Sequence, residues 1–258
     1  MNGSVAISNM LLGWVYMAVG VLTIIDMKRG WKTMGFSPFG AALVALAFTC
    51  GPHHVDHGLH VWYGRAAGPL DLAAVVAGFP PGAAFVWLRL EAFFGGRGDR
   101  FVSANTLWVR CLPFLSAVYL TALVSSLTDE VGMSMRFGFT VVVNSLLVLI
   151  YLSISYVLLR TQIHNRAILG GWSLSGLSLG TLFWTCAAMH TVTAVYTASA
   201  RYDTDIHGVL IDTLSVPAGI YFLWVTWGLY RDAIGDWHRD RRRARVLVPT
   251  NQTGRAAA

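Results

Sequence analysis

Seven stretches of this chain, near residues 7–27, 40–63, 70–94, 104–126, 137–159, 173–199 and 209–230, are apolar over about 20 residues or more. That is the length an α-helix needs to cross the hydrocarbon core of a bilayer, where every backbone polar group must be satisfied within the helix. With 55% hydrophobic and only 12% charged residues among 258, little is left over for a soluble domain. The pattern predicts an all-α integral membrane protein with seven transmembrane helices. Lys28, Arg29 and Lys32 fall in the first loop, Arg89, Arg97 and Arg100 in the third, Arg160 and Arg166 in the fifth, and Arg231 through Arg245 after the last span. The other side offers Arg65, Arg136 and Arg201 against Asp129, Glu130, Asp203 and Asp205. Because basic residues near short loops stay cytoplasmic, the N-terminus is expected outside and the C-terminus inside. The run "HRDRRRAR" at 238–245 contributes much of the net charge of +6. It reads as a topology anchor against anionic lipid, not as a nucleic-acid surface. No cleavable signal peptide is expected, since the first basic cluster follows the first span. Trp31, Trp62, Tyr63, Trp108 and Trp237 suit interfacial belts.

Two thirds of the chain is built from a repeat. "NMLLGWVY" (9–16) matches "NSLLVLIY" (144–151), "TCGPHH" (49–54) matches "TCAAMH" (185–190), and "DLAAVVAG" (71–78) matches "DTLSVPAG" (212–219). The order is the same in each half, and tyrosine and cysteine are separated by 34 residues in one and 35 in the other. Cysteine to aspartate is 21 residues in the first and 26 in the second; the excess falls in the loop "ARYDTDIHG", where an insertion costs little. The second and sixth spans run in the same direction, so the repeats are parallel. The expected organisation is a three-helix repeat over 1–100, a connector helix and outer loop over 101–135, a second three-helix repeat over 136–235, and a basic cytoplasmic tail over 236–258. The halves are expected to face each other across a pseudo-twofold axis.

The chemistry is concentrated in "CGPHHVDHGLH", residues 50–60. At about 100° per residue, Cys50, His53, His54, His57 and His60 share one side of a helix, with Asp56 elsewhere. Pro52 frees the carbonyl of Phe48 and can kink the helix there. The sixth span places Cys186, Met189 and His190 in the positions of Cys50, His53 and His54, with Thr193 and Tyr196 replacing His57 and His60. Thiolate, thioether and imidazole together suit Cu(I) before zinc, although a tetrahedral Cys/His zinc site stays open. Clustered carboxylates for calcium or magnesium are missing. The three cysteines, Cys50, Cys111 and Cys186, lie within spans and are expected as reduced thiols. Asn9 with Tyr16 and Asn144 with Tyr151 lie seven residues apart on single helix faces, and Asp71 and Asp212 begin the third and seventh spans. They are candidates to orient an imidazole through its other nitrogen, or else caps and interface residues.

"ISNMLLGWVY", a basic loop, then "CGPHH" and a Trp resemble the transmembrane sensor domain of plant ethylene receptors and their bacterial relatives. In that family a Cys and a His one turn apart bind Cu(I), and the copper binds ethylene. The resemblance covers roughly residues 7–94, and 137–230 through the internal repeat. It implies that Cys50 and His54 are copper ligands; Cys186 and His190 keep the spacing but lose the following glycine. An Asp of the family's first helix is replaced by Asn9, and by Asn144 in the repeat. The family's domain works as a dimer, so a duplicated chain could supply both halves. Those receptors continue into signalling domains, whereas this chain ends about 25 residues after its last span, so sensing implies a protein partner for signalling or metal delivery. The expected setting is a bacterial plasma membrane, with membrane lipid and a small ligand at the metal as further partners. His53, His57 and His60 have no counterpart in the family motif and read as an entry ladder or a second site.

Two other classes stay open on the residues. One is a haem- or metal-dependent redox protein or enzyme, with His54 or His57 and His190 as axial ligands. The other is a metal-free module gated by titrating histidines. Hydrolytic catalysis is disfavoured, since no nucleophile elbow, H-E-x-x-H or phosphate loop is present. His164 and His238 are expected at the surface.

Overall fold

A computed structural model describes residues 1–103, 105–131, 138–202 and 206–247, apart from the side chains of residues 34, 126–131 and 234–247. The charges expected at Arg136, Asp203 and Asp205 lie outside the described residues, and those at Asp129, Glu130 and along 238–245, with Trp237 and His238, lie on described backbone without described side chains. Seven helices account for nearly all of the rest: α1 Asn2–Met34, α2 Pro38–Trp62, α3 Pro69–Phe93, α4 Leu107–Val131, α5 Phe139–Asn165, α6 Leu174–Ala198 and α7 Ile206–Leu247. Two of them outrun their apolar stretches. α1 continues through the basic "MKRGWKTM" until Gly35, whose φ of 71° ends it. α7 continues beyond residue 230 to Leu247, so the sequence expected as a separate tail from 236 begins as a prolongation of α7. Hydrophobicity marks where a helix must be buried, not where its backbone ends.

The local sequence explains the starts of the central helices. Ser37 and Ser173 cap α2 and α6, each accepting from the N–H three residues on, at 3.1 and 2.9 Å. Each serine stands thirteen residues before its cysteine and opens an S-x-x-G motif, so the repeat extends further than the tyrosine, cysteine and aspartate matches. Pro38 and Pro69 occupy first-turn positions, where the missing N–H costs nothing. α2 runs unbroken through Pro52.

Six helices close into a ring in the order α1, α2, α7, α5, α6, α3, each packed on the next and α3 returning to α1. This order places α1 opposite α5, α2 opposite α6 and α3 opposite α7. Every pair of neighbouring helices in the ring therefore has its counterpart. α4 stands outside, against α6, with the rings of Tyr119 and Trp184 5.2 Å apart. A feature absent from the expectations is a short antiparallel ladder, β1 Phe101–Val102 against β2 Trp172–Ser173, joining the loops before α4 and α6.

The ring is apolar outside and gathers its buried polar groups inside an otherwise hydrophobic core. Trp14, Leu149 and Trp224 are 64%, 63% and 70% exposed, whereas Asn9 and Asn144 are fully buried. Five helices, α1, α3, α4, α5 and α7, are long and apolar enough to cross a membrane. The remaining two, α2 and α6, carry the buried histidines His53, His54, His57 and His190. Their polar faces look at each other across the ring instead of at its apolar outside.

Small residues set the spacing of α1 and α2. A Cβ on Gly13 would stand 2.7 Å from the Gly51 carbonyl oxygen, and one on Gly58 would stand 2.8 Å from that of Ala6. Both contacts are to backbone, which cannot swing away. This close crossing brings Asn9 of α1 to His54 of α2, between the two contact points. The alanine variant of Gly13 is expected to lose about 1–3 kcal/mol through overpacking. Thermal unfolding of the purified variant in detergent measures it, and an unchanged transition contradicts the close approach.

Candidate metal centre

The two Cys-x-x-x-His pairs face each other at the middle of the ring. In the first half, the Asn9 amide donates to the Val5 carbonyl at 3.0 Å, which turns its Oδ1 toward Nδ1 of His54 at 2.9 Å. In the second half, the Asn144 amide donates to the Thr140 carbonyl at 3.0 Å and its Oδ1 meets Nδ1 of His190 at 2.7 Å. An amide oxygen can only accept, so each Nδ1 carries the proton. The tautomer assigned in this way leaves Nε2 of both His54 and His190 with a free lone pair. Such an arrangement is how a ligating imidazole is usually held. The anchors are the asparagines. Asp71 and Asp212, candidates to orient an imidazole, lie against His57 and His53 instead.

The tyrosines cross between the halves. The Tyr151 hydroxyl meets Cys50 Sγ at 3.1 Å, and the Tyr16 hydroxyl is hydrogen-bonded to Cys186 Sγ. Each ring also covers the histidine of its own half: Tyr16 stacks on His54 at 5.4 Å, and Tyr151 lies 5.3 Å from His190. The two thiols themselves lie close enough to interact. The shared motif is therefore tied together across the interface between the repeats. Met189 is buried in the core around it. Cys111 lies on α4, away from the centre, and is only partly buried.

Symmetry breaks one turn further along. Asp212 accepts from the Asn144 amide through Oδ2 at 2.8 Å, while its Oδ1 lies 2.6 Å from Nδ1 of His53 on the neighbouring α2. The equivalent Asp71 is engaged differently. Its Oδ2 accepts from the Gly68 N–H at 2.7 Å as part of the α3 cap, and its Oδ1 accepts from the Tyr202 hydroxyl. His57 approaches that carboxylate at 3.8 Å. Burial and the adjacent carboxylate push the Tyr202 hydroxyl well above its ordinary pKa, so it remains a donor. His60 turns away from the centre and pairs with Asp56, at 2.9 Å to the carbonyl and 3.4 Å to the carboxylate. Of the ladder expected from His53, His57 and His60, the first two are buried and the third is paired locally.

Among the described residues, one group brings three ligand atoms of His, Cys, Asp or Glu within 4.8 Å of one another: His53, His190 and Asp212, all buried. The cysteines bring two sulfurs together, with the lone pairs of His54 and His190 a helical turn away. A soft ion suits that donor set. The pocket reaching His53 and His57 has a volume of about 30 Å³, room for one water. Tyr202 and the capping serines went unnoticed in the sequence; for the serines, the S-x-x-G match at constant distance from each cysteine was the available signal. Comparison with protein-family models, with curated proteins and with solved structures finds no match.

Proposed function

We propose that the chain is a Cu(I)-binding integral membrane protein holding one ion per chain at the interface of two three-helix repeats. Cys50 and Cys186 supply the thiolates, and His54 and His190 the imidazoles. All seven helices span the membrane, with the N-terminus outside, α4 as connector and the C-terminus inside. The reading is supported by one observation above all: both repeats present the same cysteine and the same asparagine-held histidine to a common buried centre. Packing alone has no need of two cysteines matched with two tautomer-fixed imidazoles, because polar groups inside a bundle are costly unless they serve a purpose. Orientation rests on the basic loops, and the bacterial plasma membrane on the resemblance to receptors with bacterial relatives. The ion serves sensing of copper or of a small ligand at copper, or its carriage to a protein partner.

Titration of the purified chain with Cu(I), against a coloured Cu(I) chelator, tests the stoichiometry. One equivalent bound per chain is expected. Two independent equivalents would return the repeats to separate sites, and no binding in competition would remove copper from the account.

A further inference from the structure

From the group one turn beyond the thiols, we infer a second ion site, specific for a divalent cation of the zinc class and formed by His53, His190 and Asp212. The three residues come from α2, α6 and α7, so the site exists only when the halves are assembled. Asn144 fixes two of the three ligands: its Oδ1 holds His190 Nδ1 and its amide holds Asp212 Oδ2. His190 Nε2 and Asp212 Oδ1 are thereby the atoms left to bind. The His53 and His190 rings lie 4.8 Å apart.

Polar atoms buried without partners point to the ligand. Both His53 nitrogens and Asp212 Oδ1 are buried and outside hydrogen-bond geometry, although Nδ1 and Oδ1 are 2.6 Å apart. A proton shared at that contact holds the pair as an ion pair, and a cation entering between His53, His190 and Asp212 would displace it, since metal binding releases protons from its ligands. Two imidazoles and one carboxylate suit zinc or a similar borderline ion, and contain no sulfur to favour Cu(I). Three protein ligands leave a fourth position for water. The adjoining 30 Å³ pocket, lined by His53, His57, Thr193, Tyr202 and Asp212 among others, has the volume for it. The first repeat cannot form the same site, because Met189 replaces His53 and Tyr202 occupies Asp71. His190 has one free nitrogen and serves one ion at a time; with both ions bound, Cu(I) keeps Cys50, Cys186 and His54.

The test uses Co²⁺ as a spectroscopic probe on the full chain in detergent, with Zn²⁺ as competitor. Wild type is expected to bind one Co²⁺ with the visible d–d bands of a four-coordinate ion and no thiolate charge-transfer band, and Zn²⁺ displaces it. His53→Ala and Asp212→Asn are expected to weaken Co²⁺ binding by at least about 100-fold. The Cys50→Ser, Cys186→Ser double variant is expected to bind Co²⁺ as wild type does. Absence of Co²⁺ binding, a thiolate band, or binding unchanged in both His53→Ala and Asp212→Asn overturns the proposal. Asp212→Asn preserves shape and the Asn144 contact, so it decides the matter if His53→Ala misfolds. The site rests on the assembled bundle and not on copper: loss of Cu(I) binding in the double cysteine variant is read separately from Co²⁺ binding in the same protein.

Discussion

Asn144→Leu is expected to lower stability by about 3–5 kcal/mol, the largest loss from any single replacement at the centre. Asn144 is where three helices are tied together: its oxygen accepts from His190 of α6, and its amide donates to Asp212 of α7 while anchoring to its own helix at Thr140. Leucine fills the volume and leaves a buried imidazole N–H and a buried carboxylate oxygen without partners. An orphaned polar group costs roughly 1–3 kcal/mol, and more when it is charged. Asn9 offers the control supplied by the repeat, since it holds His54 and touches no aspartate. Asn9→Leu is expected to cost about 1–3 kcal/mol. Unfolding of both variants in detergent compares them. Equal losses would contradict the view that Asn144 carries a second interaction which its counterpart lacks.

The second large effect concerns binding. The Cys50→Ser, Cys186→Ser double variant is expected to lose Cu(I) affinity by at least about 100-fold, because a hydroxyl is a poor ligand for a soft ion. The helical fold should persist, since serine retains a hydrogen-bonding group for Tyr151 and Tyr16. The single variants are more informative about architecture. One joint centre predicts that each lowers affinity while the stoichiometry stays at one ion. Two separate sites predict that each halves the stoichiometry and leaves the affinity of the remaining ion alone. Chelator competition on the three variants distinguishes these patterns, and a double variant that binds as wild type does would leave the thiols with a packing role.

Much of this arrangement can be read in the sequence, for a reason that also marks the limit. Hydrophobic length locates the helices, because burial or lipid exposure acts on whole segments. A duplicated motif identifies equivalent residues, because both copies had the same helix positions to fill. Thus Cys50 with Cys186, His54 with His190 and Asn9 with Asn144 are legible as pairs. What equivalence does not reveal is which residue faces which. The tyrosines sit seven residues from the asparagines, which suggests a common role within one half, yet each reaches the cysteine of the other half. Likewise Asp71 and Asp212 match by position, but Tyr202 engages the first and His53 contacts the second. The loop insertion that brings Tyr202 over Asp71 looks inexpensive in sequence, and it is the place where the symmetry breaks. Helical periodicity also put His60 on the face of His53 and His57. Near the end of α2, where Asp56 is one turn away, a local pair satisfies it instead.

X-ray absorption at the copper edge of the Cu(I)-loaded chain examines the joint centre most directly, since it reports the atoms bound to the metal. The account predicts a sulfur shell from two thiolates with a lighter nitrogen contribution, and loss of the sulfur shell in the double cysteine variant. A first shell of nitrogen and oxygen alone, unchanged by replacing Cys50 and Cys186, would contradict it.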